Sequence, residues 1–530
     1  MIAFWLVACN TTTEQKTLTI TKQELKDKIA GGWAGKMIGV TYGAPTEFRY
    51  QQKINEDSIK WVPADIKGSI WQDDIYVQLT FMMTMDKYGM DAPAIKYQEL
   101  LAKAGYHLWC ANLQARKNYF DSIYPPLSGN PEFSFRADDI DFQIEADYIG
   151  FMNPGMIQNV IDESEKIGHI MNYGDGVYGG IFVGALYSVA FFESDIPKII
   201  ETALGSIPAE SGYARIVRDV IKLHKQYPTD WKAAWKELDA KWGDVDISGA
   251  GSTFNIDATL NGAFIVMGLL YGDAMEYKTL EITTRCGADS DCNPSNAMGL
   301  LGVIKGFSKL PAEMQRGVKE VGDSLFIHTT YSFNKAVEST FNYALKLIEK
   351  NGGKIEGDVI TLPMQPYKPA KLEDSYPNVV FDKKVAIFSK ENWKFTGNWE
   401  TFKQKSWDGK SENNQSMYAG SKGDEIEFSF DGTGVSLMGN WVKEGGKADV
   451  YLDGKLHRSI DTYYHYSNQE HRGISLWHVF QLSPGRHTVK VVVKGEKHKE
   501  SLGSNIYITE AIIYKTAPKK SDAYKFSFEK

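Results

Sequence analysis

At 530 residues, with 43% hydrophobic and 24% charged side chains, the chain has the composition of a globular protein and exceeds what one hydrophobic core usually organises, which excludes a fibrous or disordered protein and predicts two domains. A formal net charge of -8 excludes nucleic-acid recognition through a broad basic surface, because such binding neutralises phosphates with Lys and Arg. No run reaches the about 20 apolar residues that cross a bilayer.

Met1 to Ala8 is an apolar run ending at Leu6-Val7-Ala8-Cys9, which resembles a bacterial lipobox. That likeness implies a lipidated Cys9 at the start of the mature chain and a place in the bacterial cell envelope, periplasmic or at the outer-membrane surface. The lipid anchor would then be the sole membrane contact. Residues 1–20 read as this signal and its polar tether. With Cys9 modified, Cys110, Cys286 and Cys292 remain, an odd number that describes buried thiols rather than a disulfide framework. Neither a CxxC spacing nor a Cys/His cluster marks a thiolate zinc site.

Residues 21–350 carry helical periodicity. Ile181 to Phe191 and Gly262 to Leu270 are too long and too rich in small residues for strands, and predict buried, closely packed helices. Ala214 to Gln226 and Asn334 to Glu349 mix apolar positions at spacings of three and four with Lys, Arg and Glu, as exposed helices do. Asn351-Gly352-Gly353 and the prolines 363, 366 and 369 predict a helix stop and an extended linker over 351–378. The period then becomes two: Glu425 to Phe430, Ala448 to Leu452 and His487 to Val493 predict strands of a β-sandwich over 379–517. Residues 518–530 read as a polar tail.

Two acidic clusters stand out. Gln72-Asp73-Asp74 opens a helix-compatible run, and Asp289-Ser290-Asp291-Cys292 follows a glycine-containing turn and precedes a small, apolar helix. Adjacent carboxylates are too costly to bury without a cation or strong donors. They lie either in water or on a metal, and hard oxygen ligands select magnesium, calcium or manganese over zinc.

With their flanks, these clusters resemble the ADP-ribosylglycohydrolase family. The resemblance rests on Ala30 to Gly39 leading into Gly43-Ala44-Pro45-Thr46-Glu47-Phe48, then Gln72-Asp73-Asp74, then Gly287 to Asp291 running on through Gly299-Leu300-Leu301-Gly302 to Leu310-Pro311. It covers residues 21 to about 350. It implies an all-α catalytic domain with one or two magnesium ions in a central cleft, hydrolysing a bond to an anomeric carbon. By the same likeness Asp73, Asp74, Asp289 and Asp291 are metal ligands, with Asp74 also in a catalytic role, and Glu47 stands where the family has a glutamate beside the metals. The chain departs from the family at Gln72 and Cys292, positions where a ligating Thr is usual. Gln72 offers a carbonyl oxygen, whereas Cys292 is a poor magnesium ligand, and the second ion depends on it. Asp-Ser-Asp-Cys-Asn variants occur in a divergent branch of the family.

Further candidates lie in mid-domain. The acidic stretch from Asp138 to Asp147, including Asp139, reads either as an exposed helix face or as a cleft wall facing substrate hydroxyls. Asn153, His169 and Asp175 flank glycines that let a backbone approach a ligand closely. A metal can polarise sugar hydroxyls and position water while a carboxylate such as Glu47 handles the proton. No Gly-x-Ser-x-Gly elbow, Walker A loop or dinucleotide fingerprint competes.

The β domain resembles galactose-binding-like jelly-roll modules through Gly432 to Val435, Val450 to Gly454 and Gly485 to Val489. Its Trp393, Trp399, Trp407, Trp441, Tyr463, Tyr464, Tyr466 and Trp477 read mostly as sandwich core, and otherwise as sugar-stacking rings. The expected protein is a metal-dependent glycoside hydrolase acting on ADP-ribose or on another furanoside or glycan. The alternative is a surface glycan-binding lipoprotein with a decayed hydrolase scaffold.

Overall fold

The computed structural model describes residues 16–243, 246–389, 392–404, 414–465 and 470–516. The Cys9 lipobox, the tether up to residue 15, residues 517–530, Trp407 and Tyr466 lie outside the described residues.

Among those residues sixteen α-helices lie between Lys22 and Lys350. Two of them, Asp175–Ala190 and Ala258–Tyr271, run through the middle, and the second is buried along its whole length. Apolar and small on every face, they have no side to turn to water. Gly212–Gln226 and Phe333–Lys350 instead bury one stripe and expose the other. No helix among the described residues is long and apolar enough to cross a membrane.

Backbone contact between Lys22–Gly43 and Cys292–Lys305 fixes the region that follows from both. A Cβ on Gly31, Gly35, Gly39 or Gly43 would lie within 2.2 Å of the carbonyl oxygen of Gly302, Met298, Pro294 or Ser290 respectively. Four glycines at intervals of four share one face of the helix. Their partners descend in number as they ascend, so the two helices lie antiparallel with nothing but backbone between them. Their contact ends at Gly43 and Ser290, next to Glu47 and Asp291.

Residues 351–378 are not a bare linker, and residues 17–20 are not a free tether. Strands β1 (Thr17–Thr21), β2 (Lys354–Glu356) and β3 (Val359–Pro363) form an antiparallel sheet in the order β1-β3-β2. Ile20 and Ile360 pair in register and are buried, which gives both segments an apolar reason to leave water. The proline-rich stretch after β3 stays extended and lies on the helical domain: Tyr367 donates to the Thr202 carbonyl at 3.0 Å and Tyr376 to the Ser134 carbonyl at 3.2 Å.

The C-terminal domain is a two-sheet antiparallel β-sandwich. It is built from β4 (Val379–Ala386), β5 (Trp393–Thr396), β6 (Glu400–Gln404), β7 (Asn414–Ala419), β8 (Glu425–Gly432), β9 (Gly434–Trp441), β10 (Gly446–Leu452), β11 (Lys455–Asp461), β12 (His471–Val479), β13 (Gly485–Lys497) and β14 (Ile506–Thr516). One sheet runs β11-β10-β13-β8-β5; the other runs β12-β9-β14-β7-β6, with β4 also on β14. Ile426, Phe428 and Phe430 alternate with more exposed residues on β8, as a strand with one core face requires. β9 is buried at every position, because its other face meets the helical domain. Val435 and Leu437 point into the sandwich core, while Met438 joins Ile512 and Tyr514 of β14 against Phe135, Ala137, Ile247 and Tyr376. Trp393, Trp441, Tyr463, Tyr464 and Trp477 are buried, and Trp399 donates to the Glu425 carbonyl at 2.9 Å. These rings are packing elements of the sandwich and its margins.

Candidate active site

Three chain segments converge at the end of the glycine contact. In the first, the 3-10 helix Pro63–Trp71 stops at Gln72, whose extended backbone (φ -88°, ψ 130°) starts the helix Asp73–Tyr88. Asp73 and Asp74 thereby occupy its first turn, where unpaired N–H groups favour negative charge. The second is the turn between Glu276–Arg285 and Cys292–Lys305, reversed by positive φ at Gly287 (+83°) and Ala288 (+54°). The third is the loop after Gly43. It is tied to that turn by Ala288 N–H donating to Tyr50 O at 2.9 Å, by Phe48 N–H donating to Ala288 O at 3.2 Å, and by the Thr46 and Ser290 hydroxyls at 2.9 Å.

Glu47, Asp289 and Asp291 each present a carboxylate oxygen within 4.8 Å of the others, and Asp74, Asp291 and the Cys292 sulfur form a second such group sharing Asp291. Both oxygens of Asp74 and one oxygen each of Asp289 and Asp291 are buried without a hydrogen-bond partner. Five carboxylates, counting Asp73, face one buried ammonium, that of Lys36, whose Nζ lies 3.9 Å from Asp74 and 2.8 Å from Asp147. Asp147 in turn accepts from Tyr187 Oη at 2.5 Å and Asn296 Nδ2 at 2.9 Å. Lys36 also donates to the Ile144 carbonyl at 2.9 Å.

The imbalance appears in the acidities. Burial pushes Asp74 up to about 7 against the pull of Lys36, with Asp73 adding to the rise. Asp289 is pushed up to about 8 by burial and by the carboxylates of Glu47 and Asp74, and Asp291 rises well above the carboxylate range for the same kind of reason. Glu47 stands at the exposed mouth, but its carboxyl faces inward. Loss of water there, with Asp291, Asp73 and Asp74, pushes it up to about 9. The Cys292 thiol is raised by burial and by Asp289 and Asp74, and sulfur is a poor match for a hard, oxygen-seeking cation.

Orphaned, buried carboxylate oxygens converging on one point, with too little positive charge beside them, fit a divalent cation held by oxygen. Asp74, Asp289 and Asp291 are placed to hold one, with Asp73 adjacent in the same helical turn. The Gln72 side chain, half-buried and making no capping bond, leaves its carbonyl oxygen for the same purpose.

The stretch from Asp139 to Asp147 is buried throughout, so it is no exposed helix face. Asp141 accepts Ala111 and Asn112 N–H groups at 3.1 and 2.9 Å, at the start of the helix Cys110–Phe120. Glu145 accepts from the Asn112 side chain, and its acidity is suppressed by burial and by Asp141, Asp73 and Asp74. Asp139 is engaged by Arg136 at 3.3 Å and by the Ser248 hydroxyl at 3.0 Å. Asp175 accepts Tyr213 N–H at 3.0 Å and lines a separate small cavity with Asp138, Asp257 and Asp374. Asn153 is consumed by the Ile149 carbonyl and Asn159, and His169 by Glu373 and the Glu165 carbonyl. These contacts hold Asn153 and His169 in packing roles, so the structure does not gather them with the acidic centre. Lys36 is not singled out by the sequence, and Asp147 only as the end of an acidic stretch. The available signal was a lysine inside an apolar, glycine-striped helix, where a cation needs a buried partner.

A family model described as ADP-ribosylglycohydrolase matches residues 21–344. A type blood alpha-D-galactosamine galactosaminidase of Flavonifractor plautii is 30% identical over 156 residues, 28% of this chain; the chain thus spans only 12% of that protein's length. Among solved structures, an ADP-ribosylglycohydrolase-related protein complex aligns with a TM-score of 0.39 at 11% identity, covering 61% of this chain and 99% of that one. A two-domain esterase active on acetylated mannans aligns at 0.22 and 14% identity, covering 35% and 47%.

Proposed function

The chain belongs to the ADP-ribosylglycohydrolase family, and on that premise we propose that it is a metal-dependent glycoside hydrolase whose centre is Glu47, Asp73, Asp74, Asp289 and Asp291. The observation that carries this reading is the set of buried oxygens of Asp74, Asp289 and Asp291 that lack any hydrogen-bond partner. The cation is magnesium, with calcium or manganese as substitutes, and the oxygen set accommodates one or two ions. Bound there, it supplies Lewis acidity toward sugar hydroxyls and water.

The protein's own groups divide the remaining work. Asp73, Asp74, Asp289 and Asp291 lose their protons on loading and keep negative charge near the anomeric carbon, where an oxocarbenium-like transition state needs it. Lys36, locked by Asp147, holds Asp74 in place. Glu47, at the mouth and beside Asp289 and Asp291, would take a proton from the attacking water and pass it to the departing oxygen as the glycosidic bond breaks. Its raised affinity for protons in the metal-free protein falls when positive charge is added beside it.

The substrate is a glycan or a small glycoside with its labile bond at an anomeric carbon: an ADP-ribosyl group, another furanoside, or a sugar such as the relative named for galactosamine acts on. Anchoring through Cys9 is part of the same proposal and would expose the cleft to glycans outside the cytoplasm. Wild type and Asp289→Ala, with magnesium and with chelator, are to be screened against ADP-ribosyl peptides, furanosides and plant and host glycans. Turnover abolished by the substitution and by chelation is the expected result. Glycan binding without turnover across the panel would overturn the enzyme in favour of the decayed-scaffold alternative.

A further inference from the structure

A cleft lies where the two domains meet, with a cavity volume of about 440 Å³, inside the about 300–1,000 Å³ typical of small-molecule sites, which favour domain interfaces. We propose that this interdomain cleft binds a neutral oligosaccharide, at a place separate from the acidic centre.

One wall is the C-terminal half of the helix Cys110–Phe120 and the turn beyond it; the other is formed by β9 to β12 and the residues after β11. Elsewhere the interface is sealed by apolar packing of Phe135, Tyr376, Met438 and Tyr514. The cleft has a different lining. Lys117, with 2% of its side chain exposed, lies 2.6 Å from Asp121 and 5.7 Å from the centre of the Trp441 ring across the interface. The Phe120 ring stacks on His465 with centroids 4.6 Å apart and planes 16° from parallel. A packing flaw between two domains would be apolar or closed; this one is faced with ions and rings.

The charges identify the ligand class. Lys117 faces Asp121, Lys447 lies 3.7 Å from Asp461, and Arg458 lies 3.1 Å from Glu132. Each lysine and arginine already has its anion, so none is left over to recognise a phosphate or a carboxylate, which calls for uncompensated Arg or Lys. What the pairs do offer is donors and acceptors at fixed positions, set beside the partly exposed rings of Phe120, Phe133 and His465. Sugar hydroxyls both donate and accept, and the C–H faces of a pyranose or furanose pack on rings.

The helix that walls the cleft also reaches toward the acidic centre. Its first N–H groups hold Asp141, and Asn112 holds Glu145 beside Asp73 and Asp74. Its 11 residues span about 16 Å, a few sugar units. Binding in the cleft does not depend on the proposed reading of the acidic centre.

The test is calorimetric titration of the full chain with neutral xylo-, manno-, galacto- and arabino-oligosaccharides of three and four units, with oligogalacturonate and ADP-ribose for comparison. Wild type, Lys447→Ala, Asp461→Asn and Asp289→Ala are compared after thermal melts confirm folding. At least one neutral oligosaccharide is expected to bind, at least about tenfold more weakly in Lys447→Ala and Asp461→Asn, and unchanged in Asp289→Ala. The proposal falls if no neutral oligosaccharide binds, if the acidic one alone does, if binding survives both cleft substitutions, or if Asp289→Ala abolishes it. Turnover is scored on the same samples. Loss of turnover with binding intact in Asp289→Ala leaves the two sites independent, and binding without turnover anywhere defeats the enzyme reading alone.

Discussion

Two groups of buried carboxylates lie in the helical domain, and they differ in how their oxygens are occupied. In the group around Asp138, Asp175 and Asp257, the carboxylates do the work of structural caps. Asp257 accepts from the Thr259 amide at 2.7 Å at the start of Ala258–Tyr271, Asp175 accepts from the Tyr213 amide, and Asp138 from the Ser375 hydroxyl. In the group of Asp74, Asp289 and Asp291, four buried oxygens have no such donor. Both groups are acidic and both resist ionisation. Acidity alone therefore does not tell the two groups apart; unsatisfied oxygens do, and they are what the proposed cation site rests on.

The sharpest break in that contrast is expected from Lys36→Met. Removing the buried ammonium leaves Asp147 and Asp74 without a countercharge, and should cost about 3–5 kcal/mol in denaturant unfolding of the metal-free protein. Next comes Asp289→Ala. It should lower kcat/KM by at least about 100-fold, the range seen when one preorganised electrostatic group is lost, with bound metal reduced in elemental analysis. The equivalent change in the capping group, Asp257→Asn, should leave metal content unchanged.

A third effect follows from pH. The folded carboxylates of Asp74, Asp289 and Glu47 hold protons up to about 7, 8 and 9, whereas unfolded ones release them near 4. Between those limits the native state binds more protons, so stability falls as pH rises, at up to about 1.4 kcal/mol per pH unit for each proton on the buried Asp74 and Asp289, and by less for Glu47, whose exposure lets water screen it. The melting temperature in chelator should drop from pH 5 to pH 8. Added magnesium should restore more at pH 8 than at pH 6, and Asp289→Asn should flatten the slope. Smallest of all, Ser375→Ala removes a single capping donor and should cost about 1 kcal/mol with kcat unaffected.

How far the sequence carries this reading depends on the kind of information each feature needs. Asp73-Asp74 and Asp289-Ser290-Asp291 were legible because local motif and flanking residues sufficed, and the alternation of Ile426, Phe428 and Phe430 declared its strand in the same way. The acidic stretch up to Asp147 was ambiguous: a charged segment with regular apolar positions is equally an exposed face until its partners are known, and those partners, Arg136, Asn112 and Lys36, come from three different elements. The small sheet of β1, β2 and β3 was hidden by distance, since Thr17–Thr21 finds its partner more than 300 residues later. The docking face of β9 and β14 was hidden for another reason. Residues buried on both sides of a strand lose the alternation by which strands are recognised.

The glycine contact between Lys22–Gly43 and Cys292–Lys305 acts as a ruler. Backbone pressed on backbone at four successive turns leaves no side chains to repack and absorb an error in register. One residue inserted in either helix would turn everything beyond it by about 100° and advance it by about 1.5 Å. Glu47 would then swing away from Asp291, although every acidic side chain remained in the sequence. The distance between Glu47 and the pair Asp289 and Asp291 is thus inherited through the scaffold, and a search for relatives sharing the proposed activity should ask whether both helices keep their length between the motifs before asking which acids they keep.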